Sequence, residues 1–187
     1  MSFYSRCELK NMGFKNVGEN VRLSKLASIY GASNISLDDN TRIDDFCILS
    51  SGEGGIYIGR HVHISAYASI IGAGTVTLED YTCISGRCSI YSSNDDYSGN
   101  FMTNSTVPNA YRNVSHSPVT IKKHSLIGAG SIVLPGVIVG ECSAVGALSL
   151  VNKPLEPGYI YAGVPVRKIS KRKRDLERYE DHLCLKN

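Results

Sequence analysis

The sequence predicts an all-β solenoid, and three features carry that expectation. Between residues 121 and 151 the chain divides into six-residue units: Ile121-Lys-Lys-His-Ser-Leu, Ile127-Gly-Ala-Gly-Ser-Ile, Val133-Leu-Pro-Gly-Val-Ile, Val139-Gly-Glu-Cys-Ser-Ala and Val145-Gly-Ala-Leu-Ser-Leu. An aliphatic residue opens each unit, Gly often follows, and Ser or Val holds the fifth place. A period of six matches neither a helix nor a strand; it fits a coil in which each unit forms one short side. The same register recurs upstream, between residues 17 and 90. Composition agrees, with 18 Gly, no Trp and many Val, Ile and Ser, as frequent corners between short strands require.

Each place in the unit has a physical task. The first residue points inward and stacks on its counterparts above and below. The small fifth residue fits a narrow interior, and Gly tolerates the backbone geometry of the corners. Residues 1–16 lack the register and read as an irregular lead-in that caps the open end, since a bare terminal coil would expose an apolar edge. Units then open at Val17, Leu23, Ile29, Leu37, Ile43, Ile58, Ile64, Leu78 and Ile84, with a slip of two residues after Ile29 and a turn-rich SSGEGG insertion at residues 50–55.

Residues 91–120 break the pattern. The segment is polar and carries Asp95, Asp96, Tyr97 and His116. A long aperiodic loop inside a solenoid points to function, and its aromatic residues argue against disorder. After Val151 two prolines end the register, an extended piece runs to Ile169, and residues 170–187 read as a helix with Ser170 near its start.

At 187 residues the chain is one ordinary domain. Twenty basic against 17 acidic residues give a net charge of +3, too mild to argue for a nucleic-acid partner. The N-terminal stretch has no apolar signal core and no segment approaches a membrane span, so a cytoplasmic protein is the expectation. The six cysteines are scattered without a CxxC pair and read as reduced packing thiols.

The repeat, followed by Tyr161-Ala-Gly-Val-Pro-Val-Arg167-Lys168-Ile169, resembles the hexapeptide-repeat acyltransferases, which are left-handed parallel β-helices. The likeness runs from about Val17 to Ile169 and is nearest to the branch that O- or N-acetylates sugars. It implies acetyl-CoA as acyl donor with no metal, a sugar or nucleotide-sugar acceptor, a homotrimer, and a place in surface polysaccharide synthesis. It also implies that the pantetheine arm lies between subunits beside the C-terminal coils. The matching small positions are Ala129 and Ala147, with Asn152 one turn on; coil packing also explains the two alanines. Arg167 falls where the family places a basic contact to the cofactor's phosphates, and Lys168 adjoins it.

Transfer to a hydroxyl calls for a general base, usually His. Sugar O-acetyltransferases of the family carry theirs after the coil equivalent to Cys88-Ser-Ile-Tyr, where this chain has Asn94 or Asp95. Three options follow: Asp95 or Asp96 is the base, another loop supplies a His, or the acceptor is an amine needing little help. His116, at the end of the excursion, is the nearest histidine. Asp95 and Asp96 are also suited to gripping sugar hydroxyls or an amino group, with Tyr97 as a stacking surface, although Asn-Asp-Asp is equally good turn chemistry. His63, and less so His61, could project toward a neighbour's cleft. His124 reads as a surface residue and His182 as inert. Two other functions compete. A zinc-dependent carbonic anhydrase would need three convergent histidines, and the spacings here do not match. A non-catalytic scaffold or ligand-binding solenoid would fit the missing loop histidine, but the Arg167 tail and the small coil residues argue against it.

Overall fold

Ile121 pairs in parallel with Val139 one coil ahead and with Leu78 one coil behind. The equivalent residues Ile127 and Val133 do the same with Ile84 and Val145, and with Ile90 and Val151. Each six-residue unit is therefore one side of a triangular coil, stacked on its own kind. The computed structural model describes residues 2–176 and 178–180 and is a left-handed parallel β-helix of about 7 turns. Its three faces are sheets of six, eight and six strands.

The interior is built from the opening residues. Leu23, Ile43, Ile64, Ile84 and Ile127 are fully buried on the second sheet, and Leu49, Ile70, Ile90, Val133 and Val151 on the third. Each strand is short, so stability comes from like stacking on like along the axis. The small fifth residues Ser125, Ser131, Ser143 and Ser149 are buried too, and each hydroxyl donates to a backbone carbonyl, which removes the cost of burying it. At Gly128 the coils approach so closely that a Cβ would stand 2.6 Å from the backbone nitrogen of Ala147.

The ends depart from the sequence-based expectations. The lead-in contains a helix, Arg6–Asn11, closed by a capping box in which Ser5 and Glu8 each accept from the other's backbone N–H. Its Leu9 is 2% exposed and seals the first coil. At the other end Ser170 does not begin a helix. It lies in the strand Arg167–Lys171, which pairs antiparallel with Tyr159–Ala162 and closes the edge of the second sheet. Helical backbone occurs at residues 178–180; the remainder of the expected helix, with His182, lies outside the described residues.

The excursion is a hairpin. The chain leaves the third sheet after Ser89–Tyr91, and Ser93–Asn94 pair antiparallel with Ser115–His116 before Val119–Ile121 rejoins the first sheet.

Candidate active site

The small residues expected to face the donor lie at the corner between the second and third sheets. Ala129 and Ala147 are exposed at equivalent places on successive coils, and the Ala129 carbonyl accepts from the Leu148 N–H at 2.9 Å. Gly146 backs onto Ala162 in the next layer. The strip is thus bare backbone flanked by Leu148, which is 74% exposed, a surface that an apolar chain with amide groups can lie along. Asn152 and Arg167 are exposed at the same end of the helix. Arg167 makes no ion pair among the described residues, whereas Lys168 is held at 2.7 Å by Glu156, with its ammonium 3.9 Å from the Tyr159 ring centroid. The Glu156 bond holds the Lys168 pKa above its usual value.

The hairpin brings together residues that are far apart in sequence. Ser93 and His116 are register partners, and Ser93 Oγ lies 2.7 Å from His116 Nδ1. The imidazole therefore stands one residue from Asn94, a place that the resemblance gives to a histidine and this chain does not, and it arrives from the opposite strand. It lines a hollow of ≈360 Å³ with Asn109, Arg112 and Val114. Asp95 and Tyr97 line a different hollow, ≈380 Å³, with Tyr91, Ile132, Leu134 and Leu150. Ile132 and Leu150 follow the Ala129–Ala147 strip on the third sheet, so Asp95 is a carboxylate beside an apolar wall next to that strip. Tyr97 is 88% exposed, a ring with its faces open.

Asp96 is engaged within the excursion. It accepts from the Ser98 backbone at 2.7 Å, from the Ser98 hydroxyl, and from Asn113 Nδ2 at 2.9 Å. Those bonds hold its carboxyl below the ordinary range, the Ser98 hydroxyl foremost. Asp96 ties the two arms of the loop together and has less capacity left for a ligand than its neighbour.

His63 is on the outer wall of the second sheet, and its Nε2 is 2.9 Å from Asp44 Oδ2. The other oxygen of Asp44 accepts Arg42 Nε at 2.7 Å. Burial pushes the Asp44 carboxyl upward, but the bonds from Arg42 and His63 outweigh it and hold the pKa below 3.8. Asp44 and Arg42 were not among the expected site residues; an acidic residue two places after an arginine carries no distinctive sequence signal. His61 and His124 belong elsewhere. They sit with Asn40 and Tyr81 in a column of left-handed residues at the corner between the first and second sheets. Tyr81 stacks on both imidazoles, at 5.1 and 5.0 Å. His124 is not a free surface residue: its side chain is only 9% exposed and meets Glu180 at 2.9 Å. Among the described residues no group of three or more His, Cys, Asp or Glu could hold a metal ion.

Comparison with known proteins narrows the chemistry. The chain is 52% identical over 176 residues to a dTDP-4-amino-4,6-dideoxy-D-glucose acyltransferase from Escherichia coli, covering 94% of this chain and 92% of the relative. The solved structure of AntD, an N-acyltransferase from Bacillus cereus, in complex with dTDP and 3-hydroxybutyryl-CoA superposes with a TM-score of 0.94. It is 48% identical and covers 99% and 97% of the two chains. The chain belongs to the hexapeptide-repeat sugar acyltransferases. A hexapeptide-repeat acetyltransferase from Vibrio cholerae complexed with acetyl-CoA, 18% identical at a TM-score of 0.63 over 90% of this chain and 76% of that one, shares the fold. No family model matches the chain.

As a hexapeptide-repeat acyltransferase the protein is an enzyme that moves an acyl group from a CoA thioester to a sugar. The exposed strip lies at the corner between the second and third sheets and the second-sheet wall adjoins it, whereas the hairpin springs from the corner between the third and first sheets and meets the third-sheet wall at Ile132, Leu134 and Leu150. None of the described helices is long and apolar enough to cross a membrane.

Proposed function

We propose that this enzyme transfers a short acyl group, acetyl first among them, to the 4-amino group of dTDP-4-amino-4,6-dideoxyglucose or a near relative. The observation that carries this reading is Asp95, an exposed carboxylate in the hollow beside the donor strip. A carboxylate there suits an amino group, which arrives as an ammonium, better than a neutral hydroxyl. The 52% identity to an aminosugar acyltransferase supports the same choice.

In this mechanism the CoA thioester lies along Ala129 and Ala147, with Arg167 at its phosphates, Asn152 beside it and Lys168 completing the basic edge. Asp95 grips the amino group, Tyr97 covers the sugar, and His116, oriented by Ser93, takes the proton. The free amine attacks the thioester carbonyl carbon; a C–N bond forms and the carbonyl electrons move to oxygen. Backbone amides stabilise that oxyanion. Its collapse breaks the C–S bond, and CoA leaves as the thiol with the proton relayed from the amine.

The assembly in this reading is a homotrimer in the cytoplasm, with each excursion lying against its neighbour, and the product feeds surface polysaccharide synthesis. The exposed Leu26, Phe46 and Tyr67, neighbours on successive coils with the Phe46 and Tyr67 rings stacked 5.0 Å apart, support burial against a second copy. The test is thiol release from acetyl-CoA against amino- and hydroxy-sugars, free and dTDP-linked. Turnover confined to the dTDP-amino-sugars supports the proposal. Turnover on hydroxy-sugars alone, or CoA binding without any turnover, would sink it.

A further inference from the structure

The outer wall of the second sheet carries one row of aligned side chains. The register partners run Arg22, Arg42, His63, Cys83, Leu126, Ala144 and Ile160. Each alternates with a buried stacking residue such as Leu23, Ile43 or Ile64, so the whole row faces outward. Adjacent members stand about 4.8 Å apart. The row is graded: cationic or titratable over its first three places, a thiol at the fourth, apolar over the last three. Its apolar end reaches Ala144, next to Gly146 and Ala147 of the donor strip.

At the cationic end a hollow of ≈390 Å³ is lined by Arg22, Arg42, Asn20, Asn40 and Val21. The polar atoms supplied by its side chains are two guanidinium groups and two amides. The acidic groups nearby already have partners. Asp44 is held by Arg42 and His63, and Glu19 by Arg6. Asp45 accepts the Ser24 hydroxyl. Arg22 is exposed and makes no ion pair among the described residues. Paired guanidinium forks in an open hollow match the oxygens of a phosphate or diphosphate.

We propose that this row is the acceptor track, with Arg22 and Arg42 holding the diphosphate of the nucleotide sugar. The inference rests on the function proposed above and assigns the acceptor's anchor, which that reading leaves open. The sugar is bonded directly to the diphosphate, so it extends along the row past His63 toward Cys83, roughly 10 Å from Arg42, and in the proposed trimer the excursion that reaches it there is the neighbouring copy's. Asp44 is then a positioning residue, holding both Arg42 and the His63 ring toward the acceptor. Donor and acceptor approach the reacting centre from opposite ends of the helix.

The test is calorimetric binding of dTDP, UDP, inorganic pyrophosphate and CoA to the full-length chain and to Arg22→Ala, Arg22→Lys and Arg42→Lys. Arg22→Ala is expected to weaken dTDP and pyrophosphate about 10- to 100-fold, with part restored in Arg22→Lys, and to leave CoA unchanged. Arg42→Lys, which keeps the charge but loses the fork, should weaken dTDP by a smaller factor. Wild-type binding of dTDP that none of the variants alters would overturn the track while leaving the proposed function standing. Wild-type binding of UDP and pyrophosphate but not dTDP, lost in Arg22→Ala, would support the track and remove the proposed acceptor. No binding of any diphosphate by the wild type would overturn the track outright.

Discussion

Ser93 and His116 face each other across the hairpin stem, their Oγ and Nδ1 atoms 2.7 Å apart although 23 positions separate them in sequence. The contact engages Nδ1, and in the proposed mechanism it orients the imidazole so that Nε2 takes the proton. Replacing His116 with Ala is expected to lower kcat by roughly 10²-fold or more. Ser93→Ala, which loses only the orienting bond, should cost about 10-fold. Single-turnover rates with far-UV circular dichroism as a folding control measure both; equal rates in wild type and His116→Ala would remove the histidine from the mechanism.

Asp95 and Asp96 are adjacent but differently placed, Asp95 open in a hollow and Asp96 tied into the loop. Asp95→Asn should reduce kcat/KM for the amino-sugar about 10- to 100-fold, since it removes a charge-assisted contact. Asp96→Asn weakens the bonds to Ser98 and Asn113, so its main effect should be faster cleavage of the excursion in limited proteolysis. Reversed behaviour of the two variants would mean that their roles are exchanged.

The donor strip makes a steric prediction. Ala147 is exposed, so Ala147→Phe can be accommodated by the fold while covering the backbone on which the pantetheine arm would lie. KM for acetyl-CoA should rise by about 10-fold or more with dTDP binding unchanged. An unaltered KM would place the donor elsewhere.

Asp44 makes stability depend on pH. Its folded pKa is depressed below the ordinary 3.8, so its contribution is present above that value. As pH falls below about 4 the unfolded chain takes up the proton first, and the contribution is lost as pH passes through the folded pKa. Denaturant midpoints of Asp44→Asn should therefore lie below wild type at pH 7 and converge toward it in acid. A constant gap across that range would show that the carboxylate charge is not the stabilising feature.

In the core, Ile64→Ala should cost about 2–5 kcal/mol in urea unfolding, because the residue is fully buried in a stack between Ile43 and Ile84. A loss under 1 kcal/mol would mean that the coils relax around the cavity.

The fold was legible because every coil repeats the same demand. An inward aliphatic must meet its equals above and below, and each unit writes that requirement into the chain again. Even the interruptions at residues 50–55 and 91–120 were readable as gaps in a count. The strip of small exposed residues was legible for the same reason, since Ala129 and Ala147 occupy repeat positions. Non-repeating segments were harder. The Ser5–Glu8 capping box sits in a lead-in without periodicity, and Ser170, where the sequence predicts a helix start, is drawn into a strand because the sheet edge at Tyr159–Ala162 offers its backbone a partner.

By itself, then, the sequence determined the solenoid, its inward stacks and the small residues along one corner, because these follow from a local rule applied at a fixed period. The meeting of Ser93 with His116, the grip of Asp44 on His63 and Arg42, and the covering of His124 by Glu180 were decided only by the tertiary structure. Each joins side chains from different coils or from two ends of a loop. Hydrogen bonds of that kind depend on three-dimensional register, and no period in the chain encodes them.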